Sequence, residues 1–463
     1  MKYSLVISTS ILLSTFSTTL AAPVNPSAAE TTPSTTSDDS DEYIIVLAPT
    51  EKRPWGQVFT DMGYNMTSRA HDISINKHTF GVNYGKDLRT FGKEFRGFTT
   101  HMKSTDAASL ASLPNVLSIV KDVKWTVKVE RYNETFGTHS VKDNKWSFPN
   151  VKRQVQQNEL TQVVQQSTAP WNLARISTAQ PLTSNGREVI DLKFNYQFER
   201  SSGLGVDVYM LDSGINTQHT DFGGRAKMVF TAFGNDITDG HGHGTHTAGT
   251  VGSTTFGVAK NVNLLGVKVL DSQNAGSLSS FVAGVDFALS SHLQRRTQPG
   301  FKGSIINMSL GGPGFAQPLF DALQRATQAG MHVAVAGGND NTDSCKFSPA
   351  QFSQSLPIIN VGATNVVDQK WEGSNFGKCI DIHAPGEGIV STSNKGPQAM
   401  EPMSGTSMAC PAVAGAMAVE LFKNPSLDPA SLKKLIISRA LSGVLQGVTG
   451  GNMLLNNGLR AVG

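Results

Sequence analysis

Apolar residues fall along this chain in short, mostly β-branched runs, with longer stretches of helical period between them. The runs Val206-Asp207-Val208-Tyr209-Met210-Leu211, Val262 to Leu270, Ser304 to Leu310, Met331 to Ala336 and Ile358 to Val361 have strand length and β-branched character, which predicts strands. The periods of Ser277 to Gln294, Ala316 to Gln328, Ser407 to Phe422 and Pro429 to Leu441 predict helices. Strand and helix in alternation predict an α/β body over residues 168–463, a doubly wound, mostly parallel sheet with helices on both faces. Sites in such sheets gather at the carboxyl ends of the strands.

Upstream the texture differs. Within residues 42–129, Tyr43-Ile44-Ile45-Val46-Leu47 is a strand, Phe95-Arg96-Gly97-Phe98 begins another and Ala107 to Leu113 is a helix before Pro114. Val116 to Val120 and Trp125 to Val129 then close a small α+β unit with one clear helix. Residues 1–22 have the basic start, apolar middle and small-residue end of a secretory signal peptide. Residues 23–41 run through prolines, serines and threonines into Asp38-Asp39-Ser40-Asp41, with too little apolar surface to fold. Residues 130–167 are polar and glutamine-rich, carry the dibasic pair Lys152-Arg153 and predict a second, cleavable linker. No internal repeat is visible.

Composition narrows the function classes. The 463 residues carry a net charge of +3, from 39 basic and 36 acidic side chains, so no strong field points to nucleic acid or to an anionic membrane. No run after the leader is apolar enough to span a bilayer. Charged residues make up 16%, against roughly 25% in ordinary domains, and with 45 glycines they suggest a compact, loop-rich, enzyme-like body. Secretion makes disulfides possible, and of Cys345, Cys379 and Cys410 one is left over. Asn65-Met66-Thr67 and Asn133-Glu134-Thr135 match the N-glycosylation pattern; Asn307-Met308-Ser309 matches too, but lies in a buried strand.

Chemistry gathers at glycine-flanked places. Ser404-Gly405-Thr406-Ser407-Met408-Ala409 sets a small hydroxyl before an apolar helix with Pro411 in its first turn. Ser407 then stands at a helix N-terminus, where unpaired amide hydrogens and the dipole favour a developing negative charge. Asp212-Ser213-Gly214 ends the first body strand, and Asp239-Gly240-His241-Gly242-His243-Gly244-Thr245-His246 packs histidines among glycines ahead of a small-residue helix. Clustered histidines can bind zinc, but the 241/243/246 spacing lacks the i, i+4 pair of zinc proteases. The rival is a Ser-His-Asp triad in the chain order Asp, His, Ser, the order known from subtilisin.

Together Asp212-Ser213-Gly214, His243-Gly244-Thr245-His246-Thr247-Ala248-Gly249 and Ser404 to Ala409 resemble the signatures of the subtilisin-like serine proteases. Ala169-Pro170-Trp171-Asn172-Leu173-Ala174-Arg175-Ile176 and Val335-Ala336-Gly337-Gly338-Asn339 are most similar to its proteinase K branch. The resemblance, over roughly residues 168–450, implies a subtilisin-like fold and a serine endopeptidase made as a zymogen and working without a cofactor. It implies Ser407 as nucleophile, His243 as general base, Asp212 as its orienting partner and Asn339 as an oxyanion donor, with His246 a core residue and His241 in a loop. A histidine base implies activity that rises with pH as the ring loses its proton.

Substrate, on the same resemblance, lies extended between Asn274-Ala275-Gly276 and Ser309-Leu310-Gly311-Gly312, with Ala336 and Gly337 completing the pocket for the residue before the scissile bond. Nothing charged lines these segments, which implies a broad apolar or aromatic preference there. Residues 42–129 resemble the family's inhibitory propeptide, with cleavage near Lys152-Arg153 or near Gln166. Cys345 and Cys379 resemble a disulfide pair, Cys410 stays buried and free, and Asp381 matches a calcium-ligating position. Ala412 stands where many relatives have histidine, outside the triad. The expected partners are protein and peptide substrates and the chain's own propeptide, with no nucleic acid or membrane, for a monomer that is secreted or held in a vacuole-like compartment. The alternative is a catalytically silent relative acting as a secreted binding protein; it requires a damaged triad or oxyanion position, and Asp212, His243, Ser407 and Asn339 are all present.

Overall fold

The computed structural model describes residues 41–62, 89–131, 162–182 and 189–459. The signal peptide, Asn65, Asn133 and Lys152-Arg153 lie outside the described residues. No helix among the described residues is long and apolar enough to cross a membrane.

In the N-terminal unit, β1 (Asp41–Leu47), α1 (Trp55–Asp61), β2 (Arg89–Phe91), β3 (Gly97–Met102), α2 (Ser104–Ala111) and β4 (Val116–Lys121) build a sheet in the order β2-β3-β1-β4. Tyr43, Ile45 and Leu47 pack beneath the helices against Val58, Phe59, Phe98 and Ala107. Ile44 and Val46 point the other way, as the two-residue period of a strand requires, and join Phe91 and Phe95 in the core of the body. That division explains why the β1 run is apolar without a break. α1 carries little helical signal in its sequence, because Trp55-Gly56-Gln57-Val58-Phe59 is short and includes a glycine.

Two short strands leave this unit, β5 (Lys124–Thr126) and β6 (Glu130–Arg131). Trp125 to Val129 therefore does not close the N-terminal sheet: β5 pairs with the body instead. The 130–167 stretch is not linker throughout, since it holds β6 and most of β7 (Val163–Ala169). β7 is followed by α3 (Trp171–Ile176) and by β8 (Phe194–Glu199), with which it pairs antiparallel.

The body continues through β9 (Val206–Asp212), β10 (Ala226–Thr231), α4 (His243–Gly252), β11 (Asn263–Lys268), β12 (Ala275–Ser277), α5 (Leu278–Arg295) and β13 (Gly303–Met308). Next come β14 (Gly312–Pro313), α6 (Gln317–Gln328), β15 (His332–Ala336), β16 (Phe347–Ser348), β17 (Ile359–Thr364), β18 (Ile382–Pro385), β19 (Ile389–Thr392) and β20 (Met400–Ser404). α7 (Thr406–Lys423), α8 (Pro429–Arg439), β21 (Leu441–Ser442) and β22 (Met453–Leu454) complete it. The main sheet has nine strands in the order β10-β11-β9-β13-β15-β17-β18-β22-β21, parallel except for the last pair.

Alternate residues of β9 serve opposite faces: Val206, Val208 and Met210 pack with α4 and α7, and Tyr209 and Leu211 with α5 and α6. This is the doubly wound architecture the alternation predicts. Two of its strands lack a clear sequence signal, β10 because only part of it is apolar and β18 because it is four residues ending in proline. Cys345 and Cys379 form a disulfide across 34 residues, contributing about 3–4 kcal/mol if its effect is loop closure in the unfolded chain.

Candidate active site

Asp212 is the last residue of β9, a central strand, so its carboxylate emerges at the carboxyl end of the sheet. There Oδ1 accepts the Ser213 amide at 2.7 Å and lies 2.7 Å from His243 Nδ1, and Oδ2 accepts Thr247 Oγ1 at 3.0 Å. Both side chains of the Asp212–His243 pair are fully buried. His243 is the first residue of α4, so the helix starts at this histidine instead of following the cluster. Gly244 permits the approach: a Cβ there would stand 2.1 Å from the Gly214 carbonyl.

Asp239 fixes the start of α4. Its Oδ1 accepts Ser213 Oγ and the Gly242 amide, each at 2.8 Å, and its Oδ2 accepts the Thr245 amide at 2.8 Å and Thr245 Oγ1. Sequence reasoning missed this residue, although an aspartate shortly before a helix is a recognisable capping signal. The three histidines form no group that could hold a metal ion, although the His241 ring lies 6.2 Å from that of His243. His246 Nε2 faces the carbonyls of Ile389 at 2.9 Å and Glu401 at 3.1 Å, and burial pushes its pKa down to about 4, so it is a neutral core group. His241 is half-exposed, and burial together with nearby His243 lowers its pKa.

Ser407 is the second residue of α7. The helix begins at Thr406, so Pro411 falls in its second turn and not in the first as the sequence suggests. A proline there removes the amide that would bond the Ser407 carbonyl; Ser309 Oγ donates to that carbonyl instead, at 3.0 Å. The Ser407 hydroxyl donates to the Ser309 carbonyl at 3.1 Å, and His243 Nε2, buried, makes no hydrogen bond. The Asp212–His243 link is thus formed and the His243–Ser407 link is not. Cys410 is buried beneath, its Sγ 3.4 Å from Asn307 Oδ1, and burial raises its pKa, which keeps it a thiol. Asn307 itself is fully buried, which removes it as a glycan acceptor.

Asn339 follows β15 through a glycine turn. Its Oδ1 accepts Thr406 N at 2.9 Å and Thr406 Oγ1 at 2.7 Å, which aims Nδ2 into the cleft. There Nδ2 donates to the Lys128 carbonyl at 2.8 Å. The chain on either side of Lys128 is gripped. Val127 N donates to the Asn274 carbonyl at 2.9 Å, Asn274 Nδ2 donates to the Val127 carbonyl at 3.0 Å, and β5 pairs antiparallel with β12 through Thr126↔Ala275 and Trp125↔Gly276. Trp125 stacks on Phe281 at 5.5 Å, and its ring passes over Gly312, where a Cβ would stand 2.3 Å away. Beyond Lys128, β6 pairs with β20, and Arg131 binds Glu401 at 3.0 Å and the His241 carbonyl at 2.7 Å.

The cleft around this strand measures about 450 Å³ and is walled by Ser309, Leu310, Gly311, Gly312 and Ala336. Gly337 lies behind it, its carbonyl tied to Ser344 Oγ and Asn375 Nδ2. Among the body's residues that line the cleft, Asp340 is charged, and it pairs with the Lys128 ammonium. The sequence does not mark Asp340 as a wall residue, because it follows Asn339, just outside the wall segments. Gln166 does not line this cleft and is paired with Tyr196 in the β7–β8 ribbon.

The calcium expected at Asp381 does not fit the residues present. Lys433, from α8, places its ammonium 2.9 Å from Asp381 Oδ1, 2.8 Å from the Ile358 carbonyl and 3.0 Å from the Ser353 carbonyl. Asp381 Oδ2 is already taken by the Asn360 amide at 2.9 Å.

Comparison with known proteins agrees with this geometry. Residues 42–128 match the family model described as Peptidase inhibitor I9. Among curated relatives, the chain is 43% identical over 297 residues to "Subtilisin-like serine protease pepC" of Aspergillus niger, a stretch covering 60% of this chain and 54% of that one. It is also 43% identical over 312 residues to "Alkaline protease 2" of Aspergillus fumigatus, covering 63% of this chain and 61% of that one. Among solved structures, "Crystal structure of a cold adapted subtilisin-like serine proteinase" is similar with a TM-score of 0.56 at 38% identity, covering 63% of this chain and 99% of that one. Residues 203–458, which carry Asp212, His243, Asn339 and Ser407, match the model described as Subtilase family, and the chain belongs to that family.

Proposed function

We propose that the chain is a serine endopeptidase made as a self-inhibited precursor, and that the first bond it cuts is its own Lys128–Val129 bond. The observation that carries this reading is the Lys128 carbonyl on Asn339 Nδ2, with the chain extended along β12 before it and along β20 after it. The match to the inhibitor family, ending at residue 128, supports the same boundary.

In the proposed reaction the Ser407 hydroxyl turns from the Ser309 carbonyl towards His243 Nε2, a link that apo sites often leave unmade. Ser407 Oγ bonds to the Lys128 carbonyl carbon as its proton passes to His243, and Asp212 holds the ring with Nε2 facing the serine. Asn339 Nδ2 and the Ser407 amide, unpaired in the first turn of α7, receive the negative charge on the carbonyl oxygen. The carbon–nitrogen bond to Val129 then breaks, its nitrogen taking the proton from His243. Water enters by the reverse sequence and frees the Lys128 carboxylate. Every proton moves between side chains, substrate and water.

Asp340 adds to the pocket a preference the apolar walls do not carry. Long basic side chains before the scissile bond are accepted alongside apolar ones. Secretion by way of residues 1–22, glycans on Asn65 and Asn133, and action as a monomer complete the proposal on sequence grounds.

A fluorophosphonate is expected to label Ser407 in the processed enzyme and abolish cleavage of a protein substrate. Asn339→Ala should lower kcat by about 10²–10³-fold, the range known for removing one such donor from subtilisin itself, with little change in KM. Labelling that leaves proteolysis intact, or an effect of Asn339→Ala confined to KM, contradicts these roles.

A further inference from the structure

We infer that Lys433 is a built-in cation that replaces a calcium ion at Asp381, so that this part of the body is held together without metal. The oxygens that meet there, one carboxylate and two main-chain carbonyls, are of the kind a hard cation collects. They come from separate segments: Ser353 from a 3-10 turn, Ile358 from the entry to β17 and Asp381 from the entry to β18. The Cys345–Cys379 disulfide and the β17–β18 pairing hold these segments close, and a shared positive charge lets their oxygens face one another.

Two features identify that charge as the lysine's. The separations of 2.8, 2.9 and 3.0 Å are those of N–H···O bonds, whereas calcium draws its ligands to about 2.3–2.6 Å. An ammonium also has three donors and no acceptor, and three oxygens receive them, so the group is saturated. Asp381 has no spare oxygen for a second cation, because its other one holds the Asn360 amide. Lys433 and Asp381 are 17% and 12% exposed, enough burial for the pair to be shielded from salt.

The lysine does something an ion cannot. It is carried by α8, whose Leu432 and Ile436 pack in the same core as α7, the helix that begins at Ser407. Lys433 therefore ties α8 to the entries of β17 and β18 as well as drawing the three oxygens together. A covalently attached cation cannot be removed by a chelator or lost in a calcium-poor compartment.

Thermal unfolding of the full chain carrying Ser407→Ala, which suppresses self-digestion, tests this in EDTA and in millimolar CaCl2. On that background Lys433→Ala should lower Tm by about 5 °C in EDTA, and calcium should restore part of the loss in a saturable way. An unchanged Tm, or a loss that calcium leaves untouched, overturns the replacement. Should Lys433→Ala fail to fold, the unsubstituted site decides through Asp381→Asn. The Tm response to calcium, whatever its size, should be the same with and without Asp381→Asn; a response that Asp381→Asn abolishes means that calcium binds at Asp381, and the inference fails.

Discussion

The nine-stranded sheet is covered on both faces by helices of its own unit, whereas the four-stranded N-terminal sheet has its own helices on one face and uses α5 and α6 of the body for the other. The first sheet is complete by itself. The second leaves Ile44, Val46, Phe91 and Phe95 to be buried by a partner, each worth about 2 kcal/mol when removed from water. Two reciprocal caps pin the halves together: Asp286 on α5 accepts the amides of Lys93, Glu94 and Phe95, and Asp122 of the N-terminal unit accepts the Ser279 amide and hydroxyl at the start of α5. The difference teaches that the N-terminal unit is built to depend on the body, and that the strand it sends through the cleft is one end of a larger docking surface.

That dependence should be easiest to disturb at Asp286. Asp286→Ala leaves three amides of the N-terminal unit without acceptors at the interface, each unmade bond costing about 1–3 kcal/mol. The cleaved unit should be released about 10²-fold more readily, measured as its inhibition of the processed enzyme, while kcat on a small peptide stays unchanged. Release unaffected by Asp286→Ala would mean that the cleft strand alone holds the unit.

A smaller effect should come from pH. Burial pushes Asp122 and Asp286 each up to about 6 in the docked state, while a released, solvated carboxyl titrates near 4. A raised pKa means that the docked state takes up protons as pH falls through about 6, so docking tightens below that value and loosens above it. The cleaved unit should bind more tightly at pH 5 than at pH 8, by up to about tenfold for each of the two carboxyls, and Asp286→Asn should remove one of the two shares. Tighter binding at pH 8 would contradict the assignment of these carboxyls as the linked groups.

The smallest effect is expected at the exposed Asp340–Lys128 pair, since such pairs contribute at most about 1 kcal/mol. Asp340→Asn should reduce kcat/KM about threefold for peptides with lysine before the scissile bond and leave those with phenylalanine unchanged. An equal loss on both would place Asp340 in the support of Asn339 instead.

The same contrast governs what the sequence discloses. Asp212, His243 and Ser407 are legible because each is fixed by its own element, a strand end or a helix start, and local chemistry marks such ends. The central strands are legible because both faces are buried and their residues are apolar throughout. β1 shows the same unbroken run, which announces two buried faces without naming what covers the second. β7 stayed hidden because its sequence, Val-Val-Gln-Gln-Ser-Thr-Ala, is half-exposed and polar. The path of residues 124–131 is invisible for another reason: much of its hold is main-chain pairing with β12 and β20, which leaves no mark in the sequence. Lys433 reads as an ordinary helix-surface lysine until the carbonyls of Ser353 and Ile358, distant in sequence, are seen around it.

The most direct test is the intact mass of the N-terminal fragment released on self-processing, for the wild type and for Ser407→Ala. The wild type should yield a fragment ending at Lys128, whatever later trimming befalls the segment after Val129, and Ser407→Ala should yield none. A wild-type fragment ending near Arg153 or elsewhere, or the same fragment from both proteins, would contradict the claim that the cleft is poised over the Lys128–Val129 bond.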